Sequence, residues 1–253
     1  MRTYFDLPYK ENATEMQLFD LYLPDHDNFD TIIWFHGGGM ETGSRKDAVI
    51  APSLVEKGFG FVSAEYRMYP DAHFPEFIED AAAAVAYIIR HITEYGGSGK
   101  VYVSGESAGA YLTMMLCMDQ RYLENVGVRQ DQIAAYISDS AQQFCHFNVL
   151  REFGEDGRLE RIDERAPIFF IKEGFNLRPL LLLYYNDDIK CRPEETKLMY
   201  ASLIKLLPDN LIDIAELPGP HCQKPQDEDG SYTLVRKVCK FIEKCRAAEY
   251  KKI

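Results

Sequence analysis

A chain of 253 residues with 46% hydrophobic and 27% charged residues is long enough to bury the core of a sizeable α/β domain. A net charge of −12 speaks against a nucleic-acid partner, which needs a basic face, and against anionic membrane surfaces. The opening Met1-Arg-Thr-Tyr-Phe-Asp-Leu-Pro8 has no apolar h-region and no later run reaches about 18 apolar residues, so neither export nor membrane insertion is expected.

β-Branched and aromatic runs bounded by turn signals predict strands at Thr3–Leu7 and Met16–Leu23. The short connector Lys10–Glu15 makes these two an antiparallel hairpin at one sheet edge. From Thr31–Phe35 onward strands and helices alternate. A helix is expected at Ala48–Lys57, a strand at Gly60–Tyr66, and a long helix at Glu76–Tyr95 with Pro75 near its first turn. The strand Val101–Ser104 runs directly into the helix Ala108–Met118, and another strand follows at Ala134–Ser138. The last elements are the strand Leu180–Tyr185, the helix Glu194–Leu206, the strand Ile212–Leu217 and the helix Tyr232–Tyr250. This alternation implies parallel strands joined by right-handed crossovers in one domain spanning residues 1–253. The stretch 141–178 breaks the pattern. It carries aromatics and charges without a clear period, which predicts a small cap or lid insertion.

The strand-to-helix junction reads Lys100-Val-Tyr-Val-Ser-Gly105-Glu-Ser107-Ala-Gly109. G-x-S-x-G in that setting is a nucleophile elbow, a tight turn that lifts a serine hydroxyl clear of its backbone. Its glycines are needed where a Cβ would strike the neighbouring strand or helix. The helix N-terminus under Ser107 favours developing negative charge. A serine hydroxyl needs a base, and of the six histidines only His221 lies in a Gly/Pro loop after a late strand (Glu216-Leu-Pro-Gly-Pro-His221). His26 falls in a polar turn and His91 on a helix. The base in turn needs a carboxylate to fix its tautomer. Asp187 and Asp188 end the strand Leu180–Tyr185, and Asp139 follows the strand before it; all three are candidates. Trp34-Phe-His-Gly-Gly-Gly39 ends an apolar strand, so the N–H groups of Gly37 and Gly38, with that of Ala108, can serve as oxyanion donors. His36 is expected to brace this loop. A glycine loop can also cradle phosphate, but no G-x-x-x-x-G-K-[ST] or G-x-G-x-x-G follows it. The six cysteines show neither C-x-x-C nor zinc spacing, so free thiols in a cytoplasmic protein are expected, with no metal and no cofactor. Cys222 adjoins His221, but adjacency in sequence does not aim a thiol at its neighbour's ring.

His36-Gly-Gly-Gly39 paired with Gly105-Glu-Ser-Ala-Gly109 resembles the α/β-hydrolase superfamily, in particular the hormone-sensitive-lipase-like esterases. Glu65-Tyr-Arg-Met-Tyr-Pro70, then Phe74-Pro75 and Asp80, is similar to that family's segment between the glycine loop and the elbow. The resemblance implies an α/β-hydrolase fold: a mostly parallel eight-stranded sheet with helices on both faces and a small cap. It implies a carboxylic-ester hydrolase with Ser107, Asp188 and His221 as its triad, choosing Asp188 by the family's habit of placing the acid just past that strand. Gly37, Gly38 and Ala108 become the oxyanion hole. The implied partner is a small ester with a short acyl chain or an aryl or sugar group. An amidase or aryl-formamide hydrolase on the same triad is the alternative, and a non-catalytic binding module a further one. Two departures stand out: Glu106 where the family usually has Asp, and an N-terminal arm too short to build a large cap.

Overall fold

The computed structural model describes residues 1–207 and 210–250. Alternation along the strands decides how the layers assemble. In the strand Phe29–Phe35, Ile33 and Phe35 enter one core while Ile32 and Trp34 enter the other, as the period of two requires. A strand buried on both faces must be sandwiched between helices.

All eight expected strands form, and they join in one sheet: β1 (Arg2–Pro8), β2 (Leu18–Leu23), β3 (Phe29–Phe35), β4 (Gly60–Ala64), β5 (Gly97–Glu106), β6 (Ile133–Asp139), β7 (Leu180–Asp187) and β8 (Ile212–Pro220). Their order across the sheet is β1-β2-β4-β3-β5-β6-β7-β8. The β1–β2 hairpin is antiparallel and sits at the edge, and β2 also runs antiparallel to β4. Every pair from β4 to β8 is parallel.

The helices are α1 (Ala51–Glu56), α2 (Glu76–His91), α3 (Ala108–Met118), α4 (Arg121–Asn125), α5 (Phe147–Glu152), α6 (Arg192–Leu206) and α7 (Thr233–Tyr250). Side chains of α2, α3 and α6 fill one core, and those of α1 and α7 fill the other. Helix α3 is buried at every one of its 11 positions, a core helix with no solvent face. Helix α1 is shorter than its sequence pattern because Pro52 is tolerated only in a first turn; the preceding Arg45–Asp47 forms a 3₁₀ turn capped by Ser44. The expected strand Gly60–Tyr66 stops at Ala64, where Glu65 turns into a buried hydrogen-bond hub.

Residues 141–178 contain no strand. They hold the short helix α5 and a 3₁₀ turn at Pro167–Phe170. A six-residue helix is too brief to announce itself by periodicity. Among the described residues no helix is long and apolar enough to cross a membrane, and no disulfide forms.

Candidate active site

The junction of β5 and α3 is as tight as its glycines suggest. A Cβ on Gly105 would lie 2.3 Å from the Gly109 backbone, and one on Gly109 would lie 2.1 Å from the Phe35 carbonyl oxygen. Ser107 occupies the apex at φ 52°, ψ −115°, a strained conformation for a residue with a Cβ. Its own N–H is fixed by the Asp139 carbonyl at 2.8 Å, and its carbonyl accepts the Tyr111 N–H at 3.0 Å. The end of β6 therefore helps to hold the strained serine.

Three sheet-edge loops converge on that hydroxyl. The His221 Nε2 lies 2.8 Å from Ser107 Oγ, and its Nδ1 lies 2.5 Å from Asp188 Oδ1. Asp188 is sealed: its side chain has no solvent exposure, against 21% for His221. Its Oδ1 also accepts the Ile189 N–H at 2.8 Å, and its Oδ2 accepts Ser140 Oγ at 2.5 Å and the Tyr185 N–H at 3.1 Å. Burial works against a carboxylate here, yet the hydrogen bonds from His221 and Ser140 prevail and hold the Asp188 pKa below its ordinary value. Asp188 is thus an ionised acceptor aimed at the imidazole.

The other two carboxylates are placed differently. Asp187 is exposed. Asp139 is buried beneath the elbow, its Oδ1 without a partner and its Oδ2 3.4 Å from Tyr185 Oη. Burial first, then the nearby Glu106, pushes Asp139 up to about 8, so it is chiefly protonated at neutral pH.

Gly37 sits against the serine: a Cβ there would come within 3.2 Å of Ser107 Cβ. Gly38 takes φ +103°, where L-residues rarely go. Among the described residues, the N–H groups of Gly37, Gly38 and Ala108 donate to no protein acceptor. His36 holds the loop from below. Its Nδ1 meets the Gly37 carbonyl at 2.7 Å, its Nε2 meets Glu65 Oε1 at 2.7 Å, and its ring stacks on Tyr66 at 4.5 Å. Glu65 also receives the Arg45 N–H and guanidinium, each at 3.1 Å. Asp80 similarly anchors Arg67 through its N–H and guanidinium. From the insertion, Asn148 Nδ2 donates to the Gly39 carbonyl at 2.7 Å.

The remaining histidines stay outside this cluster. His26 is exposed in a loop, His91 ends α2, and His73 pairs with Glu152 at the surface. His146 caps α5 by accepting the Asn148 N–H, and burial keeps its pKa well below the ordinary value. Cys222 differs from the sequence expectation. A left-handed backbone (φ 53°) swings its Sγ to 3.6 Å from His221 Nε2. Burial and the acidic neighbours Asp139 and Glu106 raise its pKa well above the usual value, so it remains a thiol rather than a nucleophilic thiolate. Among the described residues no group of three or more His, Cys, Asp or Glu side chains forms a metal site.

Ser140, Asn148 and Lys224 were not foreseen. Ser140 adjoins Asp139 at a strand end, a faint cue; the other two act across long sequence separations.

The chain is similar in sequence and in fold to known proteins. A family model described as BD-FAE, a hormone-sensitive-lipase-like α/β-hydrolase family, matches residues 19–155. Esterase LipI of Mycobacterium tuberculosis is 32% identical over 107 residues, covering 39% of this chain and 32% of that protein. Kynurenine formamidase of Danio rerio is 30% identical over 118 residues, covering 46% and 39% respectively. The first curated relatives are matched over only 26% to 48% of their own length. The propionate-bound structure of Est2, an esterase from Thermogutta terrifontis, superposes with a TM-score of 0.73 at 20% identity, covering 94% of this chain and 93% of its own. That likeness establishes the α/β-hydrolase fold.

Proposed function

The chain belongs to the BD-FAE family, and from that premise we propose that it is a serine carboxylesterase acting on short-chain or aryl and sugar carboxylic esters through an acyl-enzyme. The observation that carries the proposal is the unbroken contact from Ser107 Oγ through the His221 imidazole to Asp188. Asp188 holds the Nδ1 proton, which leaves Nε2 free to take the proton of Ser107. The serine attacks the ester carbonyl. Negative charge on the carbonyl oxygen is received by the N–H groups of Gly37, Gly38 and Ala108, with the α3 dipole behind them. His221 then passes its proton to the departing alcohol. Water enters, loses a proton to the same imidazole, and releases the acid.

We read residues 141–178 as a small cap, supported by the Asn148 bond to Gly39 and by Phe147 lying against Gly39. Phe147 stacks on His146 at 4.3 Å and carries Arg151 5.1 Å above it, so it is a packed wall against which an acyl or aryl group can rest. Cytoplasmic residence belongs to the same proposal, in keeping with the absence of disulfides among the described residues.

Hydrolysis of an aryl formamide is the second reading, favoured by the likeness to a kynurenine formamidase. Both reactions use the same attack and differ in the leaving group. Purified protein is tested on p-nitrophenyl esters of graded acyl length, sugar acetates, feruloyl esters and an N-formyl aryl amine, alongside fluorophosphonate labelling. Esterase turnover with an adduct on Ser107 supports the first reading, and faster turnover of the formamide selects the second. Absence of both adduct and turnover leaves a binding module and refutes both.

A further inference from the structure

Beneath the candidate triad lies a second group of charges that the reaction above does not use. Glu106, immediately before the serine, pairs through Oε2 with Lys224, three residues past His221, and each side chain is only 11% exposed. Both partners sit on catalytic pieces, and they join two loops that are remote in sequence. The loop that carries His221 has little regular support of its own. Cys222 and Lys224 both adopt positive φ (53° and 54°), as does Gly219 (96°), so tertiary contacts must hold it in place.

Lys224 supplies several such contacts. Its backbone amide faces Tyr185, whose hydroxyl reaches Asp139 Oδ2 at 3.4 Å. Its ammonium lies 6.0 Å from the centre of the Trp34 ring, on the strand that leads into the glycine loop. Glu106 Cγ lies 3.5 Å from where a Cβ on Gly37 would stand. The ammonium thus ties the base loop that carries it to the nucleophile elbow and lies over the strand that delivers the oxyanion donors. Burial opposes the charge on Lys224, but Glu106 outweighs it and keeps the ammonium protonated.

We propose that Lys224 is a positioning residue, tying the His221 loop to the elbow through Glu106 and so fixing the imidazole at hydrogen-bond distance from Ser107. The proposal rests on the triad reading above. It assigns a purpose to Glu106, the elbow residue at which this chain departs from the usual Asp: the longer side chain carries its carboxylate out to the ammonium. Loss of the cation frees the loop, and an imidazole displaced by about an ångström costs up to about a hundredfold in the chemical step. Substrate binding, which uses other surfaces, is spared.

The test compares p-nitrophenyl acetate kinetics and the rate of fluorophosphonate labelling across wild type, Lys224→Met, Lys224→Arg, Glu106→Gln and the Lys224→Met/Glu106→Gln double variant. The expected result for Lys224→Met is a fall of about tenfold to a hundredfold in kcat with KM within about twofold. Labelling slows in parallel yet still reaches one adduct per chain. Lys224→Arg recovers most of the rate, and the double variant loses no more than the worse single. A folded Lys224→Met with kcat within about twofold of wild type overturns the proposal, as does a loss confined to KM. If Lys224→Met does not fold, Glu106→Gln carries the same expectation and the same refutation. A wild type that fails to label at Ser107 sinks the triad reading and this proposal with it. A labelled, active wild type beside an unimpaired Lys224→Met sinks this one alone.

Discussion

Replacing Asp188 by asparagine changes one oxygen into an amino group at a site where every neighbour is a donor. Oδ1 receives His221 Nδ1 at 2.5 Å and the Ile189 N–H at 2.8 Å; Oδ2 receives Ser140 Oγ at 2.5 Å and the Tyr185 N–H at 3.1 Å. The structure decides which oxygen is given up. With the amino group in the Oδ2 position, Ser140 can rotate to accept, but the N–H of the fully buried Tyr185 is orphaned at about 1–3 kcal/mol. With the amino group in the Oδ1 position, the orphan is the N–H of Ile189, which is 47% exposed and can turn to water. The second arrangement is therefore preferred, and it presents a donor to the imidazole. His221 then offers a bare Nδ1 and carries its proton on Nε2, facing Ser107, where it cannot accept the hydroxyl proton.

The expected loss for Asp188→Asn is about four orders of magnitude in kcat, equivalent to about 5.4 kcal/mol of transition-state stabilisation. Initial rates on p-nitrophenyl acetate measure it, with urea unfolding to confirm a native fold. Asp187→Asn, at an exposed site, is the control and should stay within about twofold of wild type. Retention of more than about a tenth of kcat in folded Asp188→Asn, or a larger loss in Asp187→Asn, refutes the reasoning.

Ser107→Ala should unfold at nearly the wild-type denaturant concentration, since both residues bear the same positive-φ strain, while esterase turnover falls to near background; sustained turnover removes Ser107 from the mechanism. Gly109→Ala forces a Cβ to 2.1 Å and 2.5 Å from the Phe35 and His36 carbonyl oxygens, backbone atoms that cannot swing aside. A loss of about 3 kcal/mol or more, roughly 6–12 °C in melting temperature, is expected, and an unchanged melting temperature contradicts the packing account. For Asp139 the folded pKa of about 8 lies above the ordinary 3.8, so the native state binds the extra proton and stability falls as pH rises between those values. Asp139→Asn should flatten that slope, which is at most about 1.4 kcal/mol per pH unit; a slope equal to that of wild type over pH 4–8 shows that Asp139 is not the group responsible.

The parts of the site legible in the sequence are those that a strand end places by itself. Gly105-x-Ser107-x-Gly109, His36-Gly-Gly-Gly39 and the Asp188 and His221 loops each follow an apolar run, and parallel strands deliver all four to the same sheet edge. What the sequence could not resolve was register at the end of β7. Asp187 and Asp188 are equally acidic neighbours, and only the continuation of the strand through Asp187 turns one outward and the other toward the His221 imidazole. Ser140 and Lys224 were invisible for a different reason. Each matters through a partner 48 or more residues away, and neither residue type marks a site by its local pattern. Cys222 was misjudged because the left-handed backbone that turns its sulfur toward the ring leaves no trace in composition.

Helix α3 has no face to spare. An enlarged side chain along Ala108–Met118 would press on β5, β6 or α2, and a trimmed one would leave a cavity against them. A search for altered acyl preference in the proposed esterase should leave that helix untouched and vary only the exposed positions of residues 141–178. Side chains such as Phe153, Leu159, Ile162 and Phe169 already face solvent there, while Asn148, Leu150 and Ala166 of the same segment are buried.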